Sequence, residues 1–393
     1  MIKLFKISLI LLFSLIIVAF LDFQIGYKFM KEPKYRITKY DHDLRKNLKM
    51  YERGNILYTN NYGFKSRDSS KLKDKNIDIA FIGDSFTEGI AIEYEDTFVG
   101  IFETETKKKV INLGVSSYSP SIYYEKIKFY LDKGFNFKEV IVFIDISDIQ
   151  DEAAYYIEDD KGYIHTRKVG SVSTLKRNLH IFLTDFPLIY SVIVKGIYSV
   201  IVKAKKFITK DIKSLLAKHN NENFFKEENI YKRIKLSNNK KLSNFERYNE
   251  VLIYDYYNVG IYGYKYSRSF WTYFEDDIPY KPLNISGGIE RSLDKIDKLY
   301  NLLKSKNIKL SIGVYPWPGQ ILYDERNSKQ VKIWNNFCKN RCHNFFNMFD
   351  FFFDQIEKTG DKNLIIEKYY FSGDVHFNEN GNKVVAEEIL KKY

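Results

Sequence analysis

Ile77–Gly89 reads IDIAFIGDSFTEG, and its parsing decides the architecture. The run Ile77–Ile82 is short, rich in isoleucine and bounded by polar residues, which is the pattern of a buried strand. It stops at Gly83. Asp84, Ser85 and Phe86 follow, and then residues able to start a helix. A serine at the carboxyl end of a strand, just ahead of a helix N-terminus, has its hydroxyl beside backbone N–H groups that lack helical partners and favour negative charge. Ser85 therefore stands where a nucleophile works well.

Downstream the same rhythm repeats. A helix is expected near Thr97–Thr106, a strand at Val110–Leu113, the loop GVSSYSP, a helix over Ser121–Asp132, and a third continuous apolar strand at Glu139–Ile144. Such β-α-β units argue for an α/β fold with a parallel sheet covered by helices on both faces. Ligands collect at the carboxyl ends of strands in that architecture, and Ser85, Ser117 and Ser147 all fall at such ends. The rhythm is lost over 152–287, read as a Lys- and Tyr-rich, helical and aromatic insertion. Within it Thr174–Leu216 reads as helical, and Phe186–Val202 carries Lys195 as its one charge, which favours a packed or interfacial helix over a second membrane span. The Tyr-rich stretch around Trp271 is expected as a lid or substrate wall, with ordinary packing as the alternative. The α/β pattern returns over 288–393 with a helix Ile289–Ser305, a strand Ile308–Tyr315, the loop PWPGQ, an aromatic strand or helix within Asn344–Phe353, and a C-terminal helix from about Glu379.

Ahead of the α/β pattern lies Ile7–Phe23, ISLILLFSLIIVAFLDF, preceded by Lys3 and Lys6. The run is short for a spanning helix, which takes about 20 residues, and long for the apolar region of a cleaved signal peptide. No small-residue cleavage site follows it. It is therefore expected to be an uncleaved signal anchor, a transmembrane helix over residues 1–25 that leaves the rest of the chain exported on the periplasmic or extracellular side. Residues 26–75 are expected as a connector packed on the domain surface.

Composition narrows the partners. The chain has 393 residues, and 45% hydrophobic with 17% aromatic content supports a sizeable core. Net charge is +12, but 62 basic residues face 50 acidic ones, so the surface is mixed. Much of the excess lies in Lys203–Lys241, read first as a solvated face and second as attraction to anionic lipid or glycan. No nucleic-acid module accompanies the charge, and none is expected as partner. Cys338 and Cys342 are read as a local disulfide or a pair of free thiols ahead of a metal site, since the neighbourhood lacks further ligands. No metal or cofactor is expected.

A serine hydroxyl is a weak nucleophile near neutral pH and requires a base, and the base requires an acceptor that fixes its tautomer. Of six histidines, His376 alone stands in a loop with a carboxylate, Asp374, two residues before it and a helix start just after. GDSFTEG, NLGVSSYSP, FIDISDIQDE and GDVHFNENG, in that order, resemble the four blocks of the SGNH (GDSL-type) hydrolase superfamily, in a membrane-anchored bacterial branch near the polysaccharide O-acetyltransferases. The likeness covers Ile77–Asp151 and Tyr370–Tyr393. It implies a flavodoxin-like three-layer α/β/α sandwich, with Ser85 as nucleophile, His376 as base and Asp374 as its orienting acid. It also implies an oxyanion hole from the backbone N–H of Ser85, the backbone N–H at Ser117 with Gly114 keeping that loop flexible, and the side chain of Ser147.

Three departures from the family pattern stand out. Ser117 replaces a glycine, Ser147 replaces an asparagine, and Gly373 occupies the commoner acid position, leaving Asp374 one residue closer to the histidine. In an extended segment an Asp-x-His pair still projects to one side. The expected activity is that of a serine esterase acting on O-acetyl or related esters of envelope or extracellular saccharides. The alternatives are an O-acetyltransferase using the same triad and a non-catalytic scaffold.

Overall fold

The computed structural model describes residues 13–14, 17–18, 34–52, 55–167, 268–273, 277–371 and 374–393. Strands β1 (Tyr35–Thr38) and β2 (Asp41–Leu44) come first, followed by β3 (Lys49–Glu52), β4 (Asn55–Thr59) and β5 (Lys65–Ser66). The serine stretch forms β6 (Asn76–Ile82) and the single-turn helix α1 (Ser85–Glu88). Then come α2 (Phe98–Thr106), β7 (Val110–Asn112), α3 (Pro120–Asp132), β8 (Asn136–Ile144), and the hairpin strands β9 (Tyr156–Glu158) and β10 (Ile164–Thr166). The closing portion holds α4 (Asn284–Ser305), β11 (Lys309–Val314), α5 (Pro318–Tyr323), α6 (Lys329–Cys338), β12 (Phe345–Asn347), α7 (Met348–Thr359), α8 (Lys362–Tyr369) and α9 (Glu379–Leu390).

Eight strands form one sheet in the order β12-β11-β8-β6-β7-β5-β4-β3. The first five are parallel to their neighbours, and β5, β4 and β3 extend the sheet antiparallel beyond β7. Counted along the chain, the parallel strands follow the doubly wound order 2-1-3-4-5, which reverses between β6 and β8. Ser85 and Ser147 follow those two strands.

The two-residue period of a strand explains the layers. Along β8, Val140, Val142 and Ile144 enter one core with residues of α3, α4 and α6. Ile141 and Phe143 enter the other with Phe98 and Phe102 of α2, Ile365 of α8 and Ile389 of α9. Both faces are covered along Val140–Ile144, and that half of β8 is accordingly apolar throughout. Fully burying one such side chain stabilises by about 1.5–3 kcal/mol.

The element boundaries expected from the sequence shift by a few residues, and the Asn344–Phe353 stretch resolves into a strand followed by a helix. Residues 26–75 do more than lie on the surface, because β3–β5 join the sheet. Their alternation is short: in β4 Leu57 and Thr59 are buried while Ile56 and Tyr58 are only partly covered, a signal of five residues among charged neighbours. Lys65 on β5 donates to the carbonyls of Gly89 and Ile92, 2.6 and 2.5 Å, anchoring this edge to the turn after α1.

Cys338 and Cys342 form a disulfide at the end of α6. Among the described residues no helix is long and apolar enough to cross a membrane. The expected anchor lies outside the described residues, apart from Phe13, Ser14, Ile17 and Val18, which are helical. Nearly all of the 152–287 insertion that was read as helical or Lys-rich, 168–267, also lies outside them.

Candidate active site

The turn after β6 is built by Asp84. Its Oδ1 accepts the Phe86 N–H at 2.9 Å and so caps α1, starting a helix one residue after the strand loop ends. Tyr315, just beyond β11, donates its hydroxyl to the same oxygen at 3.0 Å. Gly83 allows the turn, since a Cβ there would lie 2.9 Å from the Phe143 carbonyl oxygen. Ser85 is thereby held at the first position of α1. Its N–H donates to no acceptor among the described residues, as expected for a helix start.

His376 arrives from a bend between α8 and α9. Phe371 N–H donates to the His376 carbonyl at 3.0 Å, Asp374 N–H to the Phe371 carbonyl at 3.1 Å, and Asn378 caps α9 through Gly381 N–H. Within the bend one oxygen, Asp374 Oδ1, accepts from Val375 N–H at 2.7 Å and from His376 Nδ1 at 2.7 Å. The short Asp-x-His spacing therefore works by a carboxylate curled back over its own turn. An extended segment, as the sequence suggested, is not the geometry found. Phe86 packs against the imidazole with ring centroids 4.9 Å apart. His376 Nε2 lies 2.8 Å from Ser85 Oγ.

Ser85, His376 and Asp374 thus form one hydrogen-bonded chain across 291 positions of sequence. With Nδ1–H committed to a carboxylate, Nε2 is the lone-pair nitrogen and the Ser85 hydroxyl donates to it. The hydroxyl has a rival acceptor in Asp84 Oδ2 at 3.1 Å. Burial, reinforced by the charge of Asp145, raises the Asp84 pKa well above the usual carboxylate range. The Asp84 contact is also the longer of the two, 3.1 against 2.8 Å, so the imidazole direction wins.

The three residues expected around an oxyanion are placed as follows. Ser117 sits in the loop after β7, exposed, with φ +63°. That left-handed backbone explains why a glycine suits this position and why serine there is strained. Its N–H donates to no acceptor among the described residues. Gly114 does more than add flexibility: a Cβ there would come 2.6 Å from Glu88 N, so it lets the loop press against α1. Ser147 is buried after β8, its N–H donated to Asp145 Oδ1 at 2.7 Å, and its hydroxyl has no partner among the described residues.

Behind these groups lies a set of buried acids that the sequence did not single out. Asp145 accepts Trp317 Nε1–H at 2.6 Å as well as Ser147 N–H, which joins the PWPGQ loop to the third block. Asp148 accepts from Tyr123 at 2.9 Å, and burial, then the charges of Asp145, Asp84 and Asp151, raises its pKa well above the usual range. Asp151 is ion-paired with Arg268 yet its pKa is pushed up to about 7, because burial and the neighbouring acids outweigh the guanidinium. Trp271 is buried and donates to the Ile146 carbonyl at 2.8 Å, so it packs this region and is no free stacking platform. Gln320 is buried too and accepts Trp317 N–H at the start of α5. Tyr315 and Asp145 escaped the sequence reading because a tyrosine and an aspartate at strand ends carry no spacing signal. Among the described residues no cluster of His, Cys, Asp and Glu is arranged to hold a metal.

No family model and no curated protein matches this chain. Among solved structures, one from Desulfitobacterium hafniense DCB-2, assigned to the G-D-S-L family of lipolytic proteins, is similar at 10% identity and a TM-score of 0.30. The match covers 81% of this chain and 100% of that one. A likeness of that degree carries no conclusion about this chain's chemistry.

Proposed function

We propose that the chain is a serine-dependent acyl-ester enzyme of the SGNH type. The observation that carries this reading is the continuous relay from Asp374 through His376 to Ser85, with contacts of 2.7 and 2.8 Å. In the reaction Ser85 Oγ attacks an ester carbonyl and its proton passes to His376 Nε2. Asp374 holds the opposite N–H and stabilises the imidazolium. The oxyanion is met by the N–H groups of Ser85 and Ser117 and by the Ser147 hydroxyl. Collapse expels the alcohol, which takes the proton from His376 and leaves an acyl group on Ser85. His376 then deprotonates the second nucleophile, and its attack frees Ser85.

Water as second nucleophile gives an esterase and a glycan hydroxyl gives a transferase. The preferred substrate is an O-acetyl ester of an envelope or extracellular saccharide, supported by the four-block resemblance. The apolar run Ile7–Phe23 and the Cys338–Cys342 disulfide support an anchored, exported domain. The Asp-x-His spacing favours transfer as the second reading.

The test is hydrolysis of p-nitrophenyl acetate by the purified full-length chain beside Ser85→Ala. Turnover by the parent alone supports the reading, and equal background rates for both would overturn it. Adding an oligosaccharide acceptor then separates the two outcomes: acetylated sugar formed faster than acetate marks a transferase.

A further inference from the structure

A second imidazole touches this site from behind. His42, on β2, places Nε2 2.8 Å from the Ser116 carbonyl oxygen and Nδ1 2.6 Å from Asp41 Oδ2. A carbonyl oxygen can only accept, so Nε2 carries a proton. A carboxylate can only accept, so Nδ1 carries one as well. Both contacts are satisfied together by the imidazolium.

The Ser116 carbonyl belongs to the same planar trans peptide as the Ser117 N–H, and in such a unit the two groups point in opposite directions. A cation holding the oxygen on one side fixes the N–H on the other and, by drawing electrons toward the oxygen, makes that N–H a stronger donor. The rest of the loop is tied just as closely. Glu88 Oε2, on the nucleophile's own helix, accepts Ser116 N–H at 2.7 Å and Ser116 Oγ at 2.8 Å. The Ser117 carbonyl accepts the Tyr156 hydroxyl at 2.5 Å. Among the described residues the Ser117 N–H is left without an acceptor.

We propose that His42 is a positioning residue which, doubly protonated, clamps and polarises the Ser116–Ser117 peptide so that its N–H serves the oxyanion. This rests on the acyl-ester reading above. The groups facing His42 suit a cation. Asp41 and Asp43 lie on its own strand, and Glu88 lies across Ser116. The Tyr118 ring packs edge-on against the imidazole at 5.2 Å and itself carries Lys126 Nζ over its face at 4.8 Å, while Tyr156 of β9 and the Thr166 N–H of β10 stand near Asp41. Burial alone would lower the imidazole's pKa. The Asp41 bond and charge, the Ser116 carbonyl and Asp43 outweigh it and raise the pKa above the ordinary 6.5.

The experiment compares the full-length parent, Ser85→Ala, His42→Ala and His42→Gln on p-nitrophenyl acetate from pH 5 to 10, with thermal unfolding of each. Glutamine keeps an N–H for the carbonyl but no charge. The expected result is a kcat lowered about 10-fold or more in His42→Ala, less than the loss of a whole oxyanion donor, with KM little changed. Glutamine restores part of it. In the parent, kcat falls as pH rises through the His42 titration, above pH 6.5, and that fall is absent in both variants. Parent-like kcat and an unchanged alkaline limb in His42→Gln would overturn the assignment, and this variant decides the matter if His42→Ala does not fold. Background activity shared by the parent and Ser85→Ala overturns the acyl-ester reading itself, and the role of His42 falls with it.

Discussion

His376 and His42 are each hydrogen-bonded through Nδ1 to an aspartate, at 2.7 and 2.6 Å, and both lie within reach of the serine loops. They differ in what Nε2 meets. His376 faces the Ser85 hydroxyl, which has a proton to give, and so keeps a lone pair there. His42 faces a carbonyl, which has none, and so must itself be the donor. The pairing with a carboxylate is therefore common to the proposed base and to the proposed cation. The partner of the far nitrogen decides between them.

Substitutions test this contrast from its strongest consequence down. Ser85→Ala or His376→Ala is expected to lower kcat on p-nitrophenyl acetate by about 10⁵-fold or more, because members of a relay fail together. A variant that kept activity would remove His376 from the role of base and erase the comparison. Asp374→Asn is expected to lower kcat by about 10⁴-fold with the fold intact, since an amide cannot hold the same tautomer. The corresponding Asp41→Asn change should cost far less, because the carbonyl still accepts from His42 Nε2.

Stability gives the next tier. Lys126 is buried against Asp43 at 2.8 Å and also donates to the Leu113 carbonyl at 2.9 Å, tying β2 to α3 and the loop after β7. Lys126→Met removes the cation from a buried carboxylate that keeps its hydrogen bonds from the Tyr40 hydroxyl and the Leu44 N–H, and urea denaturation should show a loss of about 3–5 kcal/mol. An effect smaller per pH unit comes from the buried acids. Carboxyls with raised folded pKa values bind protons that the unfolded chain has already released, so stability falls as pH rises. The window opens near pH 4, the ordinary aspartate value, and extends past about 7, where Asp151 titrates. Thermal unfolding across that range should show the decline, and Asp148→Asn should make it shallower, each such group accounting for up to about 1.4 kcal/mol per pH unit. Smallest of all, Ser117→Gly relieves a left-handed serine and should stabilise by about 1 kcal/mol or less with kcat unchanged. A large loss of kcat there would mean that the Ser117 side chain, and not only its N–H, takes part.

The Ser85 turn was legible because β6 runs apolar up to a glycine and a capping aspartate. Asp374 and His376 were legible as a pair because they stand two residues apart before a helix. Their bend was not, since one carboxylate oxygen gathering Val375 N–H and His376 Nδ1 depends on backbone angles that alternation does not record. Strands β3–β5 were missed for a related reason: two to five residues each are too few to show a period among lysines and tyrosines. His42 was visible next to Asp41, but its carbonyl partner lies 74 positions away. Trp271 was read with substrate stacking in view, and its burial against Ile146 reflects a contact across 125 positions.

The sequence by itself determined the strand and helix rhythm and the parallel sheet and singled out the candidate serine, histidine and aspartate, because periodicity and local capping are encoded over a few neighbouring residues. Only the tertiary structure decided that Ser85 and His376 touch, that Asp84 is the losing acceptor, and that Asp41 and His42 clamp a loop peptide. Those are contacts between segments whose approach is set by the packing of both faces of the sheet, and by the desolvation that packing imposes on each buried carboxyl.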